Sequence, residues 1–571
     1  MSACRAANYL CLFLAACHGT NNADSAALDA GVCSDVTSAS GSGLHAVLTQ
    51  HNDNARTGAT LSETELTPCT VSTLVDIGSY ALDGEAYAQP LYAEHVATAS
   101  GPKNLLLVAT MADSLFAFDA AAPGSDPVWQ LGREGELGAP AFSSRNIAGN
   151  NGILATPVID ADSAALYLVS RDCEPSFPAN APHCEQRLFE IELGTGKVLQ
   201  SIAVSGSAMT QDQSTPVFFD PSLHWSRAAL LLTQGIVFLS FGSGPNGNAH
   251  EEDFPYHGWL FGYSAADFTI PPSVYCSTAD FGGGAIWQSG AGPAADDDAI
   301  YFASGNGIHQ PTPLAPLDFP TEPQADEDSL VRVPLSAAET ATHYWDDRPY
   351  HADGNVFQYM EKNDIDLGTS GPLLIPDSNT LVIAGKSGIV YVLDRATLAL
   401  AQEPLEVFTA PPLSAGQSKY IYSYDGGPHV HGSPSFFRAS DGAASAQVGS
   451  FFLWPAYDRL TRFGYDYATG LVSKLLVADV PVLSSGGTLS LSARGGAEDS
   501  AILWASAIDS DGSSGHLWAF SASTLARLWD AKLPAWAKFA VPTIANGRVY
   551  LASTSSKAGT TQEIRVFGLS R

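Results

Sequence analysis

Residues 87–92 read YAQPLY, a short apolar run broken by one proline. The phrase returns in looser spellings along the whole chain. It recurs as LATPVI at 154–159, STPVFF at 214–219, QSGAGPA at 288–294 and SGPLLI at 370–375, then as HGSPSFF at 431–437, GGTLSLSA at 486–493 and FAVPTI at 539–544. A second phrase follows most of them: LFAFDA at 115–120, LFEIEL at 188–193, WLFGYSA at 259–265, YVLDRA at 391–396 and LWAFSA at 517–522. Apolar runs of five to seven residues, alternating and punctuated by glycine and turn dipeptides, specify strands rather than helices. Self-similarity at such a period specifies a repeat architecture. Eight openings, each leading a four-stranded unit, predict an all-β chain folded as an eight-bladed β-propeller of antiparallel blades. A seven-bladed ring with one opening misread stays open as the alternative. A ring must close, and the last unit lacks an outer strand. Residues 73–82 (TLVDIGSYAL) precede the first opening and are predicted to supply it.

Composition agrees. Fifty-two glycines and 35 prolines sit beside 26 phenylalanines, 20 tyrosines and 10 tryptophans, which suits many turns between aromatic strands and excludes bulk disorder. There are 59 acidic against 27 basic residues, for a formal net charge of −32. That excludes a nucleic-acid binder, which needs a basic face to neutralise phosphates, and docking on anionic lipid through a polybasic patch.

The first residues carry an address. Arg5 is followed by an apolar run from Ala6 to Ala16, too short to span a bilayer, and the run ends Leu14-Ala15-Ala16-Cys17. This resembles a lipobox, which implies a signal peptide over 1–16, lipidation of Cys17, and a lipid-anchored protein of the bacterial cell envelope. With His18 after the cysteine, outer-membrane delivery is expected. Residues 17–43 are poor in apolar groups and read as a tether, leaving 44–571 for the propeller. An ordinary secretion signal with a chance cysteine is the other reading. In an oxidising compartment Cys173 and Cys184 are expected to bridge the loop CEPSFPANAPHC, and Cys33–Cys69 would tie the tether down, leaving Cys276 over.

The long insertions at 172–186, 242–257 and 305–328 fall between second and third strands. In an up-and-down blade those connections share one face with the segments leading into each innermost strand. That face is the expected mouth, and it offers Asn150, Asn151, Trp287, Gln288, Asp366, Thr369, His429, His431 and Lys538. Trp287 lies among glycines, where a planar ligand can approach; an indole filling the channel is the equal alternative. His429 and His431 alternate, so on a strand both face one way, as two metal ligands would; paired polar packing explains them as well. HNDNARTG at 51–58 is dense in hydrogen-bonding groups and reads as a fastening of the N-terminal strand, through Asp53 and Arg56. Asp509, Asp511 and Gly512 make a partial calcium-loop pattern that a hairpin turn also explains.

The stretch LFEIELGTGKVLQ at 188–200 resembles the repeat of pyrroloquinoline-quinone (PQQ) propeller proteins, with Glu192 where that repeat has Asp and Gln200 where it has Trp. The segments at 51–58, 84–92, 284–295, 366–374, 429–434 and 537–551 resemble bacterial PQQ-like propeller repeat proteins, and together the resemblance runs over most of the propeller. It implies the fold, and no single reaction. Two functions follow as expectations. One is a lipoprotein platform that binds a small-molecule or protein ligand at its mouth without turnover. The other is a PQQ- and Ca²⁺-dependent quinoprotein dehydrogenase acting on an alcohol or sugar. There Trp287 would stack on the quinone, Lys538 would hold its oxygens or a carboxylate, Gln288, Asn151 and Thr369 would line the cofactor, and Asp366 would be the base. A third, a polysaccharide-degrading propeller, needs a carboxylate pair that the sequence does not place.

Overall fold

A strand buried on both faces has to find partners on both edges, and this chain solves that by bending round a ring. The computed structural model describes residues 45–139, 150–174, 183–243, 256–308, 325–336, 341–344, 364–407, 428–440, 448–481, 483–509, 512, 514–555 and 559–570. Residues 1–16, Cys17, the tether at 17–43, Cys33 and Asp511 lie outside them. Eight sheets follow one another, each led by an innermost strand. These strands are Leu91–Thr98, Val158–Asp160, Leu231–Thr233, Ala294–Ala295, Leu373–Leu374, Ser435–Arg438, Thr488–Ser492 and Thr543–Ala545. The fold is an eight-bladed β-propeller. Among the described residues the helical segments are single 3₁₀ turns, and no helix is long and apolar enough to cross a membrane.

The eighth blade is completed from the other end of the chain. Leu74–Ala81 pairs antiparallel with Glu563–Leu569, in register from Leu74 opposite Leu569 to Ala81 opposite Glu563. Tyr80 secures this strand against the first blade: its hydroxyl donates to the Asp119 carbonyl at 2.7 Å and its ring stacks on Phe118 at 4.6 Å. The outer-strand tryptophans tie blade to blade. Trp129 Nε1 donates to the Leu193 carbonyl and Trp529 Nε1 to the Leu74 carbonyl.

One opening is placed differently from its sequence reading. In STPVFF, Pro216–Phe218 pairs with Ser207–Met209 in an outlying two-stranded hairpin, and Phe218 is 69% exposed. The innermost strand of blade 3 is Leu231–Thr233, from the run AALLLT, whose Leu230 and Leu231 are fully buried. An innermost strand is covered on both faces, so the longer apolar run wins over the proline-led phrase. The blade count is unchanged.

The segment HNDNARTG and its flanks do more than fasten one strand. They run inside the ring and hydrogen-bond to the innermost strand of every blade in turn. Val47 exchanges two bonds with Tyr92, and Ile159 N–H donates to the Leu48 carbonyl. Asn54 Nδ2 donates to the Leu232 carbonyl and its own carbonyl accepts from Ala295. Leu374 donates to Ala55, Phe436 to Thr57, Leu491 to Gly58, and Thr60 Oγ1 donates to the Ile544 carbonyl. Gln50, His51 and Arg56 are fully buried there. Asp53 accepts from the backbone N–H and hydroxyl of Thr57. Arg56 spends its donors elsewhere: Nε to Pro293 O (2.8 Å), Nη1 to Thr49 Oγ1 (2.9 Å) and Gln50 O (2.7 Å), and Nη2 to Leu230 O (3.3 Å).

Removing a buried cation strands every acceptor it served. Arg56→Met is therefore expected to destabilise the propeller by roughly 3–5 kcal/mol, read as a lower urea midpoint at unchanged slope. A variant melting like the parent would show that the segment is not a structural hub.

Candidate functional site

The described ends of all three long insertions leave between second and third strands: after Cys173 in blade 2, Ser243 in blade 3 and Ile308 in blade 4. Cys173 and Cys184 face each other across the first of these and are joined by a disulfide. Cys69 is also disulfide-bonded, and Cys276 is a free thiol that burial pushes up to about 12.

Trp287 stands at the centre of the mouth, half-buried, just ahead of the innermost strand of blade 4. Three neighbours define it. Lys386 Nζ, from the turn between the second and third strands of blade 5, lies 5.5 Å from its ring centroid. The Arg227 guanidinium, from the loop into blade 3, lies 4.5 Å from it. Gly305 passes so close that a Cβ there would meet Asp366 Oδ1 at 2.7 Å and Trp287 Nε1 at 3.0 Å. Only a residue without a side chain lets the indole edge and that carboxylate converge.

Asp366 is buried and paired with Lys386 at 2.5 Å; Asp364, at the rim, takes the same ammonium at 2.8 Å. Burial works against the Asp366 carboxylate, but the Lys386 charge and hydrogen bond outweigh it and hold the carboxyl below its ordinary value. Lys386 moves the other way: burial opposes its charge, and the two carboxylates raise it above the usual lysine range. Asp328, fully enclosed, is pushed well up by burial and by the Asp366 charge beside it. Between these carboxylates sits the Asn306 amide, 3.1 Å from Asp328 Oδ2 and 3.1 Å from Asp366 Oδ1. With its NH₂ toward them it donates to both. Turned over, it brings three oxygens together, the donor set a hard cation takes.

The other expected residues divide. Gln288 is buried beside Trp287 and Nε2 donates to the Ser370 carbonyl at 3.4 Å. Thr369 is buried and Oγ1 donates to the Val430 carbonyl at 2.8 Å, stitching the loops into blades 5 and 6. His429 and His431 lie with ring centroids 4.6 Å apart and perpendicular. His431 Nδ1 is 3.1 Å from Ser289 Oγ, and burial together with His429, Lys386, Lys538 and Arg227 pushes its pKa well down, so it stays neutral. Among the described residues no three His, Cys, Asp or Glu side chains form a metal cluster. Lys538 rests 4.8 Å from the Phe539 centroid, over a ring that Arg227 also covers at 5.4 Å. Asn150 is exposed and Asn151 buried, both on the loop into blade 2; Trp225 Nε1 donates to the Gly152 carbonyl beside them at 3.1 Å. Asp509 closes a hairpin turn with Gly512 and Ser514 and takes Lys532 at 3.2 Å.

Four residues central to this wall, Arg227, Asn306, Asp328 and Lys386, are absent from the sequence-level set. The one signal for Lys386 is its place in GKSG, a tight turn that opens on the mouth face.

No family model matches the chain, and no curated protein matches it. Solved structures do. It is similar to the quinohemoprotein alcohol dehydrogenase ADHIIG from Pseudomonas putida HK5 (TM-score 0.58, 13% identity, 92% of this chain and 80% of that one). It is likewise similar to the quinohemoprotein alcohol dehydrogenase from Comamonas testosteroni (0.55, 14%, 92% and 80%) and to a europium-containing methanol dehydrogenase (0.55, 13%, 92% and 98%). At that identity the likeness establishes the propeller fold.

The Asp366–Lys386 pair gives a stability test. Lys386→Met leaves a buried carboxylate alone and is expected to cost about 3–5 kcal/mol at pH 7, while the double variant with Asp366→Asn costs clearly less. Because the folded state holds Asp366 below its unfolded value near 3.9, its contribution is present above that pH and lost as pH falls through the folded value. The parent should therefore lose this term on acidification. In Lys386→Met, where burial raises the carboxyl instead, acidification should recover stability. Equal costs for single and double variants would contradict the pairing.

Proposed function

We propose that the mouth holds PQQ and that the chain is a quinoprotein-type dehydrogenase oxidising the hydroxyl of an alcohol or sugar. The reading is carried by one juxtaposition: an ionised, buried Asp366, its Lys386 partner and the Trp287 indole share one wall. The residues fit the cofactor's chemistry, which is flat and bears three carboxylates. Trp287 supplies a planar face, and Arg227 and Lys386 supply cations beside it in a chain otherwise rich in acid. They fit a Ca²⁺ ion through Asn306, Asp328 and Asp366. PQQ, when bound, supplies the two-electron oxidant.

The chain's own residues do the rest. Asp366 accepts the proton of the substrate hydroxyl, and it is ionised at neutral pH because Lys386 stabilises the charge. Lys386 also places a positive charge over the indole, where it would stabilise negative charge on a ligand stacked there. Gly305 keeps base and indole in register. A second reading, a ligand-binding platform without turnover, is favoured by Arg227, whose guanidinium already covers the Trp287 ring at 4.5 Å.

Titrating the purified chain with PQQ and Ca²⁺, followed by quinone absorbance and dye reduction over a panel of alcohols and sugars, separates the two. The dehydrogenase reading expects stoichiometric uptake with turnover. It also expects affinity to fall at least tenfold in Trp287→Ala, and uptake without turnover in Asp366→Asn. Uptake without turnover by the parent would favour the platform; no uptake would dispose of the dehydrogenase.

The leader pattern at 1–17 further supports a lipid-anchored envelope protein, in the outer membrane, that meets the bilayer through its anchor and takes a small molecule at its mouth, with no role for nucleic acid. Cys17→Ser is expected to abolish fatty-acid labelling and move the protein to the soluble fraction; labelling that persists would rule out Cys17 as the anchor.

A further inference from the structure

The cations at the mouth are not equivalent. Lys386 is neutralised by Asp364 and Asp366. Lys538 is not so placed: among the described residues the charges acting on it are those of Arg227 and Lys386, both positive. The groups facing this corner are Arg227 from blade 3, Lys386 with its two carboxylates from blade 5, and His429 and His431 from blade 6; His431 is held neutral. Like charges crowded into a half-buried pocket oppose one another, and a chain with 59 acidic residues had ample means to avoid it.

The corner is also built. Phe539 adopts φ +66°, a backbone conformation unfavourable for a bulky side chain, and the neighbouring Lys538 ammonium lies over its ring. Arg227 lies over both the Phe539 and Trp287 rings, and His431 packs on Phe539 at 5.5 Å. Contacts run from Asp366 through Lys386, Trp287, Arg227 and Phe539 to Lys538, joining a carboxylate to a cation that, among the described residues, faces no counter-charge.

We propose that Lys538, backed by Arg227, is a carboxylate-binding subsite, and that the substrate is a hydroxy acid or sugar acid held with its carboxylate on Lys538 and its hydroxyl toward Asp366. This rests on the reading of the mouth as an oxidising site and names its substrate class. A ligand carboxylate relieves the repulsion between Lys538 and Arg227, so binding gains from charge that the free protein holds at a cost. Lys538 is a specificity-determining residue here; Asp366 remains the base.

The pH dependence has a definite sign. Burial, then Arg227 and Lys386, push the Lys538 ammonium down to about 8. The subsite is therefore charged below that pH and loses its charge as pH rises through it.

The test uses the full chain without cofactor and reads the binding of gluconate against glucose by calorimetry at pH 6.5 and 9.5. The parent, Lys538→Met and Lys538→Arg are compared, with melting curves confirming that each is folded. PQQ uptake is titrated in the same three proteins. Gluconate is expected to bind the parent at least tenfold more tightly than glucose at pH 6.5 and to lose at least tenfold by pH 9.5. Lys538→Met should erase the preference, and Lys538→Arg should keep it at both pH values, because its guanidinium stays charged. PQQ affinity should stay within about twofold throughout.

Equal binding of gluconate and glucose, or gluconate binding untouched by Lys538→Met, overturns the proposal. So does a loss of PQQ affinity in Lys538→Met with gluconate unaffected, since the cation then serves a carboxylate of the cofactor. Gluconate binding through Lys538 in a chain that never takes up PQQ keeps the subsite and removes the dehydrogenase, so the two failures are separable.

Discussion

The innermost strands of a propeller turn one edge toward the axis, and the backbone N–H and C=O groups on that edge need partners as surely as those inside a sheet. Here the partners come from the chain itself. Residues 47–60 cross the ring and meet all eight inner strands, and in doing so add a central link to sheets that elsewhere are joined pairwise by packing and hydrogen bonds between neighbours. The segment coils tightly to manage it. His51, Asn52 and Arg56 adopt positive φ, and Gly58, at φ +64°, passes where a Cβ would lie 2.9 Å from Ser435 Oγ. Its polarity is thus structural. Arg56 serves carbonyls, and His51 is pushed down to about 4 chiefly by burial, so it stays neutral in the core. The closing strand Leu74–Ala81 follows directly, so one N-terminal stretch both joins the ring at its centre and seals it at its rim.

This segment lines the inside of the ring, and at the loops around Trp287 the charge pattern of the chain is inverted. A protein of net charge −32 gathers Arg227, Lys386 and Lys538 around one indole. Burial pushes both lysines down; the carboxylates reverse this at Lys386, while Arg227 and Lys386 add to it at Lys538, so the two shift in opposite directions. One is fixed in an ion pair with Asp366, the other stands among like charges.

Much of the architecture was legible because it rests on period. The phrases at 87–92, 154–159 and 539–544 mark strand openings, and residues 73–82 look like an outer strand lacking a blade. STPVFF misled because a proline-led apolar phrase says nothing of burial; the run ending in Leu231 carries that information through its unbroken apolarity. The site was half legible. Trp287 and Asp366 stand in the loops that lead into inner strands, beside the repeat phrases that draw the eye. Lys386, Asn306 and Asp328 come from the connections between second and third strands, which open on the same face. They reach Asp366 only through the fold, Lys386 from 20 residues away in sequence and Asn306 from 60. No local spacing encodes such a meeting. The Asp53–Arg56 network expected in the fastening segment is there, with Arg56 N–H donating to the Asp53 carbonyl, but the Arg56 guanidinium also reaches Pro293 and Leu230, more than 170 residues distant.

Strain shows how firmly the mouth is set. Gln288, Ser289 and Phe539 all hold left-handed backbone without being glycine. Such conformations cost of order 1–3 kcal/mol each and last only where the surroundings leave no alternative. The surroundings here are other blades: Ser289 meets His431 of blade 6, Gln288 bonds to Ser370 of blade 5, and Phe539 of blade 8 lies against Arg227 of blade 3. Each strained residue is held by a different blade, so none can relax without shifting another loop. The mouth is consequently preorganised by ring closure itself, and the zipper at Leu74–Ala81 is as much a determinant of site geometry as any residue that touches a ligand.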